Sequence, residues 1–327
     1  MARGRNNNKM TKTGKLQPAP LTLSFVVPQG VAYVDLALAM SIANRRAYKQ
    51  SGFRPVVAAM TLYTNNAGVF SSFILPETWM MENGYEKSRA MWNKMNDQVL
   101  DDEPSIVGKY HDFKICMDIG MTTASIQDAS NPSGTILTPV DEGGNYTNGD
   151  FSGAVSPRSE WNYSQLTIPN DPASGSTTDY LIHAVGPSTP TSKGVITGYA
   201  LSRSRPQSQD PNVPTGQGWM TALFDVGEQL DELRNIIEDD NDRPPYCVSP
   251  EATSNEYYPG GELEFPSLQV HDSAIVSATT VGGKTMIPGV APQCGLLKFN
   301  NATGATATIQ IHLVPGYHRG YMHQEWV

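Results

Sequence analysis

Six histidines, three cysteines and one Gly-Gly-Lys-Thr run are the groups from which this 327-residue chain would have to assemble catalytic or metal chemistry. The run Gly282-Gly283-Lys284-Thr285 ends like a phosphate-cradling loop. Its leading glycine is replaced by Ala278, however, and no helix pattern follows. Cys116, Cys247 and Cys294 are far apart and odd in number, which fits neither a disulfide framework nor a zinc knuckle. They read as buried thiols in a reducing compartment. Of the histidines (His111, His183, His271, His312, His318, His323), the last three fall in the tail IHLVPGYHRGYMHQEWV. His318 and His323 can share a metal only if that tail folds back, and it reads as a solvated terminus. Asn145, Asn162 and Asn301 match the N-x-S/T pattern, but no secretory h-region follows the N-terminus, so these matches read as chance. No nucleophile elbow, H-E-x-x-H, C-x-x-C or EF-hand pattern occurs. The expectation is a protein that is not an enzyme.

The charge pattern carries more information. Residues 1–76 hold nine Lys/Arg and one acid, Asp35, whereas residues 77–327 hold fourteen Lys/Arg and thirty-one acids. A net −9 chain thus divides into a +8 start and a −17 remainder. Arg3, Arg5, Lys9, Lys12 and Lys15 lie in the first fifteen positions among Gly, Asn and Thr. Such a segment has no apolar period and reads as a disordered basic arm, residues 1–20, able to neutralise phosphates without fixed geometry. A second cluster comprises Arg45, Arg46, Lys49 and Arg54. Either it complements a helix C-terminus or it faces the same polyanion as the arm. At the other extreme, Glu238-Asp239-Asp240-Asn241-Asp242 closes a predicted helix on the wrong end of its dipole. Asp239, Asp240 and Asp242 are candidate calcium ligands, with plain solvation as the alternative.

The elements that must position these groups are mostly strands. Only 17% of residues are charged, and Gly (29) and Pro (24) are abundant, which favours short strands joined by turns. Ten candidates emerge: 21–27, 56–63, 69–75, 109–119, 161–168, 180–185, 195–201, 268–281, 295–299 and 306–314. The second and third flank Asn65-Asn66-Ala67-Gly68 and read as a hairpin. Helical stripes are expected near 35–50, with Asp35 as N-cap and Gly52 as stop, and near 78–102 and 219–240. Residues 120–160 and 186–217 read as long loops. No apolar stretch is long enough to span a membrane as a helix. The pattern is that of an all-β sandwich or jelly roll with inserted helices, occupying 21–327.

Several blocks carry a resemblance. VDLALAMSIANRRAYKQSGFRPVVAAMTLY and FILPETWMMENGYEKSRAMWNKM resemble segments of the capsid proteins of small circular single-stranded DNA viruses that encode a replication initiator, many known from marine and environmental samples. SKGVITGYALSRSRPQSQDPNVP, GWMTALFDVGEQLDELRNIIEDDNDRPPY, YYPGGE and PQCGLLKF follow in the same order, so the likeness runs from about residue 21 to 315. None of these is a catalytic motif.

The resemblance implies a single viral jelly roll of two antiparallel sheets. It would self-assemble into an icosahedral shell of 60 copies, or a multiple, around single-stranded DNA. Its partners would be itself and the viral genome, with no membrane and an unknown host receptor. Its place would be the virion, after assembly inside the host cell, the nucleus included. The arm departs from the long arginine-rich arms common in such proteins. Five charges in each of about 60 copies give about 300, against one negative charge per nucleotide. Either Arg45, Arg46, Lys49 and Arg54 on the inner wall help, or small cations neutralise most of the genome. The alternative is a β-sandwich carbohydrate- or receptor-binding module, such as a lectin-like attachment protein.

Overall fold

Eight antiparallel strands of six to eight residues form the bulk of two sheets around one apolar core. The computed structural model describes residues 16–51, 54–102, 112–126, 134–141, 144–145, 161–169, 173–203, 267–279 and 281–324. The strands are β1 (Thr22–Val27), β2 (Gly30–Asp35), β3 (Val57–Tyr63), β4 (Gly68–Ile74), β5 (Gln269–Val276), β6 (Lys284–Val290), β7 (Leu296–Ala302) and β8 (Ala307–Leu313). The first sheet runs β1-β8-β3-β6, extended beside β1 by the two-residue strands Val140–Asp141 and Gly144–Asn145. The second runs β5-β4-β7-β2, extended beside β2 by Thr135–Ile136 and Ser125–Ile126, which pair parallel. The expectation of a predominantly β protein with few helices holds.

Alternation explains why these segments are strands. In β8, Ala307, Ile309, Ile311 and Leu313 are buried while Thr308, Gln310 and His312 are partly exposed. In β1, Leu23, Phe25 and Val27 point the same way, and the register sets Leu23 opposite Ile311 and Phe25 opposite Ile309. Period-two burial places one face of each strand in the core. Side chains from the second sheet, Val34, Phe70, Leu297 and Phe299, complete that same cluster.

Described residues between β4 and β5 form a second layer. They contribute α2 (Trp79–Asp102), α3 (Ile119–Thr123), α4 (Val195–Arg203) and a small sheet. In that sheet Thr177–Val185 pairs antiparallel with Gln165–Pro169 and parallel with Ser192–Gly194 and Cys116–Asp118. Tyr33 and Leu296 point away from the sandwich core, into a second cluster with Met81, Tyr85, Phe113, Met117 and Ile182. Tyr33 donates to Asp118 Oδ1 at 2.8 Å, and Lys298 Nζ meets Asp118 Oδ2 at 2.6 Å, so this layer is anchored on β2 and β7.

Several expectations are corrected. Strands β3 and β4 do not form a hairpin: β3 pairs with β6 and β8, β4 with β5 and β7. Both bury apolar residues in one core, so the Asn65–Gly68 turn carries the chain from one sheet to the other. Residues 195–201 form helix α4 rather than a strand, because Val195, Ile196 and Tyr199 bury with helical spacing. A Cβ on Gly84 of α2 would lie 3.0 Å from Val195 Cγ1, which shows how closely the two helices approach. Of the predicted strand 109–119, residues 109–111 lie outside the described residues, and among 112–119 only Cys116–Asp118 is strand. The first helix, α1 (Leu36–Asn44), ends well before Gly52. The predicted helix near 219–240 lies outside the described residues.

Candidate nucleic-acid interface

The end of α1 sets the position of the second basic cluster. Asp35 caps the start: its Oδ1 accepts from Ala37 N at 3.0 Å and Leu38 N at 3.2 Å. At the other end Arg45 adopts the left-handed conformation, φ 48°, and the chain turns back. Burial of Tyr48 is the physical reason for the early stop. Its backbone N–H donates to Ser41 Oγ at 2.9 Å, and its ring packs edge-on to Tyr321, centroids 5.4 Å apart. Arg45, Arg46 and Lys49 flank this anchor and are exposed.

The C-terminal residues meet this turn. They do not form the solvated tail expected from sequence. Residues 315–321 make a tight hairpin, and His323–Gln324 pairs with Arg54–Pro55. Tyr321 is fully buried and donates to Pro20 O at 2.9 Å. Tyr48 Oη donates to Arg319 O at 2.8 Å, and Arg319 Nη1 donates to Ala47 O. Arg319, like Arg45, has a positive φ, 53°; such a backbone is uncommon for a residue with a side chain. The segment leading from the N-terminus arrives at the same place. Arg46 Nη1 donates to Gln17 Oε1 at 2.5 Å, and a Cβ on Gly320 would lie 2.5 Å from Ala19 Cβ.

One surface therefore collects Arg45, Arg46, Lys49, Arg319, His318 and His323 beside Gln17 and Ala19. The His318 and His323 rings lie 4.7 Å apart, centroid to centroid. Partial burial, then the charges of His323, Arg319 and Arg46, hold His318 below the ordinary histidine pKa. These are cations acting on a cation, an arrangement that an anion would relieve. The arginines' partners here are neutral oxygens of Gln17 and Ala47, so their charges remain available for phosphate.

Arg54 stands apart from this group. Its Nη2 pairs with Glu77 Oε1 at 2.7 Å and donates to Ala291 O at 3.1 Å. It borders a cavity of about 510 Å³ also lined by Trp79, Glu82, Gln293 and Gln324. Its charge is thus matched within the chain. Arg3, Arg5, Lys9, Lys12 and Lys15 lie outside the described residues, as do Asp239, Asp240 and Asp242, the calcium candidates. Among the described residues no group of three or more His, Cys, Asp or Glu is placed to hold a metal. Cys116 and Cys294 are buried; Cys247 lies outside the described residues. Asn301 is buried and structural: its Nδ2 donates to Val27 O, Pro28 O and Ala305 O. That burial removes it as a sugar acceptor.

Arg45, Arg46 and Lys49 form a cluster already visible in the sequence; Arg319, some 270 positions away, joins them only in the fold. The available signal was Gly316 and Gly320 bracketing the tail, since paired turn glycines mark a hairpin rather than a free end. Compared with known proteins, the chain matches no family model, no curated sequence and no solved structure.

Proposed function

We propose that this chain is a structural capsid subunit, a single jelly roll that self-assembles into an icosahedral shell and encloses single-stranded DNA. The observation that carries the reading is the strand pairing. The antiparallel partners are β1 with β8, β2 with β7, β3 with β6 and β4 with β5. This nesting is what a long antiparallel hairpin yields when it is rolled into two four-stranded sheets, the architecture shared by viral shell and lectin domains. The resemblance of the sequence blocks to single-stranded DNA virus capsid proteins favours the shell. So does a cationic surface at the root of a basic arm on an otherwise acidic chain. In this reading the surface of Arg45, Arg46, Lys49 and Arg319 faces the genome, and the role is structural, not catalytic.

Nuclease protection tests the proposal. Full-length protein is purified from an expression host, treated with nuclease, and its remaining nucleic acid is extracted. The expected result is protected single-stranded nucleic acid in wild type. Particles of Arg45→Ala with Arg46→Ala should still form with a lower 260/280 nm absorbance ratio. A small oligomer with no protected nucleic acid would overturn the proposal and favour the lectin-like alternative.

A further inference from the structure

The nucleic-acid reading above leaves the two histidines of the C-terminal hairpin without a role. We propose that His318 and His323 complete a phosphate-binding surface with Arg46 and Arg319, and that this surface grips single-stranded nucleic acid more tightly in mild acid. The inference rests on the proposed function and specifies how the same site is regulated.

Geometry carries the argument. The two rings lie 4.7 Å apart, and the Tyr48 ring centroid is 6.5 Å from that of His318. Three chain segments fix this arrangement. The hairpin holds His318 through His318 N to Tyr321 O at 3.0 Å. The strand His323–Gln324 is paired to Arg54–Pro55, and the turn after α1 supplies Tyr48 and Arg46. The pair is therefore built into the fold rather than carried on a loose end.

Charged groups face the pair from several sides. The hairpin itself contributes Arg319, and the α1 turn contributes Arg45, Arg46 and Lys49. The segment 16–20 contributes Gln17 and no ionisable side chain. The strand beneath His323 contributes Arg54, whose charge Glu77 matches. Among the described residues, the guanidinium charges of Arg319 and Arg46 act on His318. Partial burial and then repulsion from these cations oppose protonation of His318 in the free protein and hold it below the ordinary histidine range. A phosphate at the centre of the group reverses that penalty. By linkage, nucleic acid then promotes proton uptake, and acid promotes nucleic-acid binding. Neutral sites for hydrogen donors would not require this density of cations, and a bound metal ion would be repelled by it.

The test is fluorescence anisotropy of a labelled 20-nucleotide oligothymidylate with the full-length chain, at pH 7.5 and 5.5 and several salt concentrations. Wild type should bind about tenfold tighter at pH 5.5. Its slope of log K against log salt should steepen by about 1.4, or about 0.7 for each added phosphate contact. His318→Gln with His323→Gln should match wild type at pH 7.5 and lose the acid gain. His323→Gln alone, at a half-exposed position, should lose about half of the slope change and guards against misfolding of the double variant. Arg46→Gln should weaken binding at both pH values. Binding that is equal at both pH values in wild type, or an acid gain that survives in the double variant, overturns this inference and leaves the proposed function standing. No binding at either pH overturns both. A sulfated polysaccharide of equal charge that binds tighter than the oligonucleotide, with the same acid gain, would overturn the assignment of the ligand.

Discussion

Trp161 Nε1 donates to Asp35 Oδ2 at 3.1 Å, so the residue that caps α1 also holds the layer inserted between β4 and β5. The Asp35 carboxyl is fully buried and collects Tyr163 Oη at 3.4 Å and Gln50 Nε2 at 3.3 Å besides its two backbone donors. Gln50 in turn accepts from Ile115 N at 2.7 Å. One acidic group therefore joins β2, α1 and the inserted layer.

That arrangement makes stability depend on pH. Burial raises Asp35 from 3.8 to about 6, outweighing the opposing effect of its donors and Lys114. The folded state holds this proton more tightly than the unfolded chain does. The stabilisation is therefore fully present below about pH 4 and is lost as pH rises through about 6. The shift corresponds to about 3 kcal/mol. Urea unfolding of wild type from pH 4 to 7 should show this fall. Asp35→Asn should be less stable at pH 4 and lack that part of the slope. A parallel fall in both proteins would place the titrating group elsewhere.

Two glycines should respond in opposite directions to alanine. A Cβ on Gly289 in β6 would stand 2.3 Å from Ala58 O, a backbone atom of β3 that cannot step aside. Gly289→Ala should cost about 1–3 kcal/mol. Gly198 in α4 has nothing within 4 Å of its added Cβ, so Gly198→Ala should gain about 0.5–1 kcal/mol. Denaturant midpoints decide the matter, and a neutral Gly289→Ala would contradict the β3–β6 packing.

The Lys298–Asp118 pair at 2.6 Å should behave as a partly buried anchor. Asp118 also accepts from Tyr33 Oη and, as the cap of α3, from Met121 N. Lys298→Met leaves that carboxylate without its cation and should cost about 2 kcal/mol, discounted for partial exposure. A double-mutant cycle with Asp118→Asn should return a coupling of about 1 kcal/mol. Additive effects would mean that β7 and the inserted layer are held together by packing alone.

Strands with one wet face were legible in the sequence. Leu23, Phe25 and Val27, and again Ile309, Ile311 and Leu313, alternate with polar neighbours and mark β1 and β8 directly. Strand β2 was hidden because both of its faces are covered, with Val34 in one core and Tyr33 in the other, so no alternation remains. Strand β6 was hidden by Pro288 and Gly289, which only its position at a sheet edge makes tolerable. Val195-Ile196-Thr197 is a β-branched run that helix α4 overrides through packing on α2. The cationic surface was half visible. Arg45, Arg46 and Lys49 are neighbours in sequence, but Arg319 and the histidine pair join them only through the burial of Tyr48 and Tyr321. Long-range contacts of that kind leave no local pattern.

The central claim is self-assembly into a closed shell, and the mass of the purified full-length protein tests it most directly. Light scattering coupled to size exclusion, with negative-stain microscopy of the same fraction, supplies the measurement. Sixty copies of a 35.5 kDa chain correspond to about 2.1 MDa of protein, and a larger shell to a multiple of that. The account predicts round particles of uniform diameter at one of these masses. A monodisperse species below about 250 kDa, with no particles on the grid across salt and pH, would contradict it.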